Sequence, residues 1–421
     1  MLDSRQAGPG ALFVGLRGEH VDGGAFAAEA LRAGAWGVLA RPEHARDATR
    51  DGGVVLASDD PLDALHRLAK AWRRELDAQV IGVTGSTGKT STKDLLLAVL
   101  APHRRTVASR ANFNTEIGLP LELLAAPAET EVLVLEMAMR GRGQIAELAA
   151  IAEPDVGVIV SVGPVHLELL GTVEAIAAAK AELIAGLGSG GTAVVPAGER
   201  LLEPHLRSEL RTVTFGEGGD VRLRSSDHER VEIDCAGETI VLNVNFEQAH
   251  LRRNLLAAVA AARAVGVRPE GRVELALSPG RGQRVGLPSG VTLIDDCYNA
   301  NPMSMRAALE DLAATAKRER HGRTVAVLGD MLELGEAERE FHAEIGARAR
   351  RAGVDVLVTV GPQAAAMSET FEGNVHRTSD ASEAAELVPS LLQAGDVVLV
   401  KGSRGVGLEL VCRALRNGSG G

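Results

Sequence analysis

The stretch VIGVTGSTGKTSTKDLLLAVLAP, residues 80–102, narrows the possible folds more than any other part of the chain. Val80, Ile81 and Val83 form a short apolar run of buried parallel-strand type, Gly85 and Gly88 bend the backbone, and Thr90 onward reads as a helix stopped at Pro102. Such an order brings a helix N-terminus, a natural anion site, to the carboxyl end of a sheet. The spacing departs from the standard GxxxxGK[ST] phosphate loop: Val83 stands where its first glycine would be, so the turn TGSTGKTS is shorter. The chemistry survives that change. Backbone groups of Gly85, Ser86, Thr87, Gly88 and Ser91 can cradle a phosphate, Lys89 adds a point cation, and the Thr90 hydroxyl is a candidate Mg2+ ligand. An ordinary strand-to-helix turn with an exposed lysine is the alternative.

From residue 80 onward, apolar runs alternate with Ala/Leu-rich helical stretches, which predicts an α/β protein with mainly parallel sheets. At 421 residues the length fits about three domains. Residues 1–78, with ALFVGL, GVLA and GVVLA as strands and helices near 26–33 and 62–76, form a small α/β unit. Residues 79–277 form a central unit, in which the short strands VRLRSS, VEIDCAG and TIVLNVNF are expected to make an accessory antiparallel sheet. A composition break, LSPGRGQRVGLPSG, opens the third unit, 278–421, with a second βαβ series in VTLIDD, TVAVLGD, VDVLVTV and DVVLVKG. The terminal NGSGG is low in complexity and expected to fray.

Composition excludes several classes. Aromatics at 2% leave no stacking platforms for bases, and a net charge of −11 argues against nucleic acid or an anionic membrane as the partner. Any anionic substrate must then be met by local cations and metal. No basic-then-apolar leader and no 18-residue apolar span is present, so a cytoplasmic protein without membrane insertion is expected, and a monomer. Cys235, Cys297 and Cys412 lie far apart with no CxxC pair, signalling neither a zinc site nor a disulfide framework; reduced, buried thiols are expected.

Ligands of open α/β sheets gather at the carboxyl ends of strands, and here those ends are polar. They deliver Glu136, His166, Asp295, Asp296, Asp330, Lys401, Ser403 and Arg404, which points to a cleft between units. Glu136 and His166 are in reach of a metal near the phosphate loop, or are a helix cap and a loop histidine. Lys180 falls on the inner face marked by Val173, Ile176, Leu183 and Leu187, where it either snorkels or is used. Arg281, in a Pro-Gly-Arg turn past the break, either reaches a phosphate or stays solvated.

Over nearly its whole length the chain resembles the Mur ligase family. The resemblance rests on TGSTGKTS, NFNTEIGLPLELL, VLEMAMRGRGQIAELAAIAEPDVGVI, GPVHLELLGTVEAIAAAKAELI, IDDCYNANPMSMRAAL, LGDMLELGEAEREFH and VLVKGSRG in the expected order, with DSRQAGPGALFVGLRGEHVDGGAF similar to the first, UDP-binding domain. It implies that domain, a central P-loop ATPase-type parallel sheet and a C-terminal Rossmann-like domain. The family usually has a longer segment before DSR, so the first unit is expected to be trimmed at its start. The adenine-side pattern HNxxN reads HLRRN here, which leaves Asn254 as the better adenine contact than His250. Ser161 replaces a common Asn, and Ala138 and Gln144 replace Gly and Glu.

The activity implied is ATP-driven amide formation through an acyl phosphate, joining D-alanyl-D-alanine to UDP-N-acetylmuramoyl-tripeptide. Thr90 and Glu136 would hold one Mg2+, and His166 with Lys180 a second, the lysine carrying a carbamate as is common in this family. Lys89 and Arg281 would neutralise the phosphates. Asp296 would face the ribose, with Asn299 and Asn301 in the same loop. Ser4 and Arg5, together with Asn112, Asn114, Thr115, Arg140 and Ser403, would touch the two substrates. A folylpolyglutamate-type or cyanophycin-type synthetase is the nearest rival, against which YNANP and the DSR unit speak. A nucleotide-binding regulatory protein that has lost turnover is the other.

Overall fold

The computed structural model describes residues 1–48, 52–110, 112–319 and 322–417. All of NGSGG but Asn417 therefore lies outside the described residues.

The first unit is a parallel sheet of Leu12–Val14, Gly37–Ala40 and Val54–Ala57, in that order. The helix Pro61–Glu75 follows, started by the Asp60 carboxylate, which accepts from the Leu62 and Asp63 N–H groups, and by Pro61 at its first turn. Its inner face does not pack only at home. Ala69 and Leu76 share a core with Leu119, Leu123, Leu148 and Ala152 of the second unit, and Trp72 Nε1 donates to the Ala126 carbonyl at 3.1 Å.

The second unit holds a ten-stranded sheet. Its parallel part runs Arg211–Phe215, Thr192–Pro196, Val156–Ile159, Gln79–Thr84, Val132–Glu136, Thr106–Ala108. The strands Val221–Ser226, Arg230–Cys235 and Glu238–Val244 are antiparallel to one another, as expected, but they are not a separate accessory sheet. Val221 pairs parallel with Phe215, so they extend the central one. The reason lies in their alternation: Val231, Ile233, Ile240, Leu242 and Val244 all face one side, and that side shares a core with Ile81, Val83, Leu95 and Leu96. Against this face lies the helix Ala249–Ala264, whose run of small residues lets it approach the phosphate-loop helix Lys89–Leu100 closely.

The third unit is a six-stranded sheet, ordered Gln283–Gly286, Thr292–Asp295, Val397–Lys401, Thr324–Gly329, Val356–Val360, Asn374–Thr378. All pairs are parallel except the first. The two edge strands were not expected. Gln283–Gly286 sits inside the composition break and Asn374–Thr378 is polar, because an edge strand buries little and can carry polar side chains. Carboxyl ends of the second and third sheets face one another, and Met303 of the helix Pro302–Glu319 lies so close to Gly163 that a side chain there would collide with its sulfur. Among the described residues no helix is long and apolar enough to cross a membrane.

Candidate active site between the second and third units

Between those strand ends lies a cleft of about 690 Å3. Its floor is the phosphate loop, and the loop is stiff. Ser86 N–H donates to the Ser161 carbonyl at 2.9 Å, Ser86 Oγ donates to the Gly163 carbonyl at 2.9 Å, and Thr87 N–H donates to Ser161 Oγ at 2.9 Å. Ser161 thus does the fastening. Gly88 has φ 80° and backs onto Asn254, whose amide atoms lie within 2.9 Å of where a Cβ would be; both facts require glycine. Immediately after it the helix Lys89–Leu100 begins.

Lys89 Nζ donates to the Gly85 carbonyl at 2.8 Å. Burial pushes its pKa below the ordinary lysine value, Glu136 pulls it up, and Arg281, from across the cleft, pushes it down again. Glu136 is 2% exposed and fully engaged: Thr90 Oγ1 donates to Oε2 at 2.8 Å, Asn114 Nδ2 to Oε1 at 2.8 Å. A threonine hydroxyl and a carboxylate side by side at a phosphate site are the hard oxygen donors Mg2+ takes, so these residues fit that ion.

The opposite wall comes from the third unit. The Arg281 guanidinium lies over the Tyr298 ring at 4.0 Å, and Arg404 approaches the same ring at 5.1 Å. Asp296 is paired with Lys401 at 2.7 Å, whose Nζ also donates to the Asn299 carbonyl at 2.9 Å. Asn301 Oδ1 accepts from Ser304 N–H at 2.9 Å, which fixes the entry to the helix Pro302–Glu319. His250 also lines the cleft, where partial desolvation by the surrounding walls lowers its pKa although the side chain stays open to solvent.

A side-chain contact at the cleft ties the walls together. His166, itself left-handed at φ 54°, has Nδ1 in a short hydrogen bond to Glu333 Oε2, and Arg140 Nη2 stands 4.0 Å from the other oxygen of that carboxylate. Burial lowers the His166 pKa, Glu333 opposes this, and Lys89 and Lys180 reinforce it.

Of the residues expected at the site, Gly85, Lys180, Asp295, Asp330, Ser403, Arg404, Ser4 and Arg5 do not line this cleft and the others do, Ser91, Asn112 and Thr115 included. Gly85 turns the chain behind it. Lys180, 2% exposed on the helix Val173–Ala185, is near enough to Lys89 for the two amines to repel, and burial holds its pKa well below the lysine range. Ser403 is buried at 4%, its hydroxyl accepting from Leu332 N–H at 3.0 Å, so it pins a loop within the protein. Ser4 and Arg5 lie in the Ser4–Gln6 turn of the first unit, where Arg5 pairs with Asp3. Two other strand-end residues also turn away: Asp330 accepts from Ala364 N–H at 2.6 Å, and Asp295 faces Arg416. Sequence reasoning missed Tyr298 and Glu333; YNANP and GDMLELG were recognised as motifs, but nothing in them told which side chain faces the cleft.

Removing Arg281 tests its orientation. Arg281→Ala is expected to lower kcat about 100-fold while weakening nucleotide binding far less, since a group aimed from the far wall acts most when the cleft is loaded. Equal losses in both would make it a plain binding residue.

The chain matches the Mur ligase middle domain over residues 83–262, the Mur ligase glutamate ligase domain over 280–404, and the Mur ligase family catalytic domain over 1–73. It is 37% identical to the UDP-N-acetylmuramoyl-tripeptide–D-alanyl-D-alanine ligase of Bacillus subtilis, covering 98% of this chain and 92% of that one. Among solved structures it is similar to the MurF ligase of Thermotoga maritima in complex with ADP, with TM-score 0.85, 31% identity and coverage of 100% and 97%. Similar too is MurF of Acinetobacter baumannii, with TM-score 0.86, 29% identity and coverage of 99% and 93%. With likeness at that level along nearly all of both chains, and with three matched units in order, the protein belongs to the Mur ligase family.

Proposed function

We propose that this protein is an ATP-dependent amide ligase that adds D-alanyl-D-alanine to UDP-N-acetylmuramoyl-tripeptide, acting as a cytoplasmic monomer in peptidoglycan precursor synthesis. The observation that carries this reading is the full-length likeness to the Bacillus subtilis ligase of that name. The cleft supports it, because one chain supplies both walls and the lining is cationic where phosphates would lie.

In this mechanism the tripeptide carboxylate attacks the γ-phosphorus of ATP, ADP leaves, and an acyl phosphate remains. The amine of the dipeptide then adds to the acyl carbon, and the tetrahedral intermediate collapses with release of phosphate and a proton. Two anions have to meet in the first step, so their repulsion must be cancelled. Lys89 and the helix N-terminus do this from the floor and Arg281 from the far wall. Thr90 and Glu136 would hold one Mg2+ and His166 with a carbamate on Lys180 a second, the ions supplying charge neutralisation at the phosphates. Asn114 keeps Glu136 oriented, Asn254 packs behind Gly88 on the adenine side, and Asp296 with Asn299 and Asn301 forms the ribose side. Asn112, Thr115 and Arg140 are lining residues that would contact the tripeptide and dipeptide, whereas Ser4 and Arg5 belong to the unit that would take the UDP moiety.

Phosphate release tests the assignment. It should require UDP-N-acetylmuramoyl-tripeptide and D-alanyl-D-alanine together, with free D-alanine or L-amino acids poor substitutes. Efficient turnover with a single L-amino acid would assign the chain to another ligase of the family.

A further inference from the structure

Behind the strand Thr292–Asp295, three side chains that the ligase reaction does not use come together. Asp295, Cys297 and Cys412 are all buried, and a carboxylate oxygen and the two sulfurs lie within 4.8 Å of one another. Cys297 follows the strand, whereas Cys412 comes from the last helix, Glu409–Asn417, and neither is in a disulfide. The two oxygens of Asp295 differ. Oδ2 accepts from Arg416 Nη2 at 2.6 Å, but Oδ1 is buried without a hydrogen-bond partner. Among the described residues that oxygen has no nitrogen or oxygen donor, and the Cys412 thiol beside the carboxylate is at most a weak one, which is costly for a buried carboxylate and rare.

We propose that Asp295 Oδ1, Cys297 Sγ and Cys412 Sγ form a site for a thiophilic divalent cation of the Zn2+ class. Tetrahedral zinc with bonds of about 2.3 Å to sulfur sets its ligand atoms roughly 3.8 Å apart, a spacing this cluster reaches by small side-chain adjustment. The charges close as well. Two thiolates and a carboxylate carry three negative charges, which the cation and the Arg416 guanidinium balance, so nothing uncompensated enters the core of Leu287, Val400, Leu408 and Val411. Arg416 is also the kind of outer partner that orients a ligating carboxylate, holding one oxygen and leaving the other free. The Cys297 thiol, and then burial, raise the Cys412 thiol far above its ordinary value, so without metal Cys412 keeps its proton. The cation would take the place of the two thiol protons. Soft sulfur selects it against Mg2+, while the hard oxygens of Thr90 and Glu136 select the reverse, so the two sites sort their ions. Arg416, 39% exposed on the terminal helix, is the cover through which an ion would enter. Cys297 lies between Asp296 and Tyr298, both on the cleft, so a bound ion would join the last helix to the loop that faces the nucleotide.

The test uses the full chain, reduced, with Co2+ as the spectroscopic probe and Zn2+ as the competitor. One equivalent of Co2+ should give a thiolate-to-cobalt charge-transfer band that survives excess Mg2+ and disappears on adding Zn2+. Cys235→Ser should keep the band, and Cys412→Ser should lose it. X-ray absorption on the zinc-loaded wild-type protein should find two sulfur neighbours at about 2.3 Å, and this needs no variant to fold. A first shell without sulfur, a band retained in Cys412→Ser, or thiols that pass to a Cys297–Cys412 disulfide without taking up metal would each overturn the proposal.

Discussion

Lys89→Ala is expected to lower turnover by about two to three orders of magnitude, the scale on which a preorganised charge-stabilising group acts. The variant should fold. Lys89 is the first residue of its helix, where alanine is at least as good a helix former, and the ammonium it removes is one that burial already disfavours. Its hydrogen bond to the Gly85 carbonyl is a local one within the loop, and the pins from Ser161 and Gly163 that hold the loop's shape remain. Nucleotide affinity should therefore fall much less than kcat, because the N–H groups at the helix start still meet the phosphates. Steady-state kinetics, nucleotide titration and a melting curve on one preparation separate these effects. Wild-type turnover in Lys89→Ala would remove the loop from the mechanism, and a collapsed melting temperature would mean that the lysine is structural.

How much of this was legible depends on how local the determinant is. The phosphate loop could be read because strand, glycine turn and helix lie within one short stretch, and Glu136 and Asp296 because one ends an apolar strand and the other directly follows one. Ser403 follows the same rule and fails it: beyond Lys401 the chain turns, and its hydroxyl goes to the Leu332 backbone. Glu333 illustrates the opposite case. Its meeting with His166 depends on how the third unit sits on the second and on left-handed backbone at both residues, neither of which leaves a sequence pattern. The antiparallel strands were recognised as strands, but their fusion to the central sheet is set by which face is buried. Cys297 and Cys412 lack any spacing signature, since the sheet and the last helix bring them together. Determinants within one element were visible, and those made by two elements meeting were not.

Lys180→Ala is expected to be nearly inactive, at least about 100-fold down, while keeping the wild-type melting temperature to within a few degrees. Lys180 belongs to a helix capped by Thr172, whose hydroxyl accepts from Ala175 N–H at 3.1 Å, and it is packed inward beside Ala179 and Ala181, so alanine keeps the helix. What the lysine does there is the question, since a buried ammonium near Lys89 and His166 would add repulsion to a place that must receive anions and metal. Burial answers half of it. A pKa held well below the lysine range raises the share of neutral amine above that of a surface lysine at any given pH. A neutral amine attacks carbon dioxide, forming an N–C bond and releasing a proton, and the carbamate that results is an anion with two hard oxygens. One such reaction would turn the misfit into a ligand and lower the local positive charge. The sign of the pH effect follows: acid protonates the amine and discharges the carbamate, so the adduct should fade as pH falls through the folded pKa of Lys180 and persist above it. Carbon-13 NMR of the native protein with labelled bicarbonate should show one carbamate signal that is absent from Lys180→Ala, and acetate or formate should restore part of that variant's activity by filling the vacated ligand position. If the signal is missing at saturating bicarbonate, or if Lys180→Ala turns over at the wild-type rate, Lys180 is an amine folded along an apolar face and the second cation has only Glu136 and His166 on the protein side.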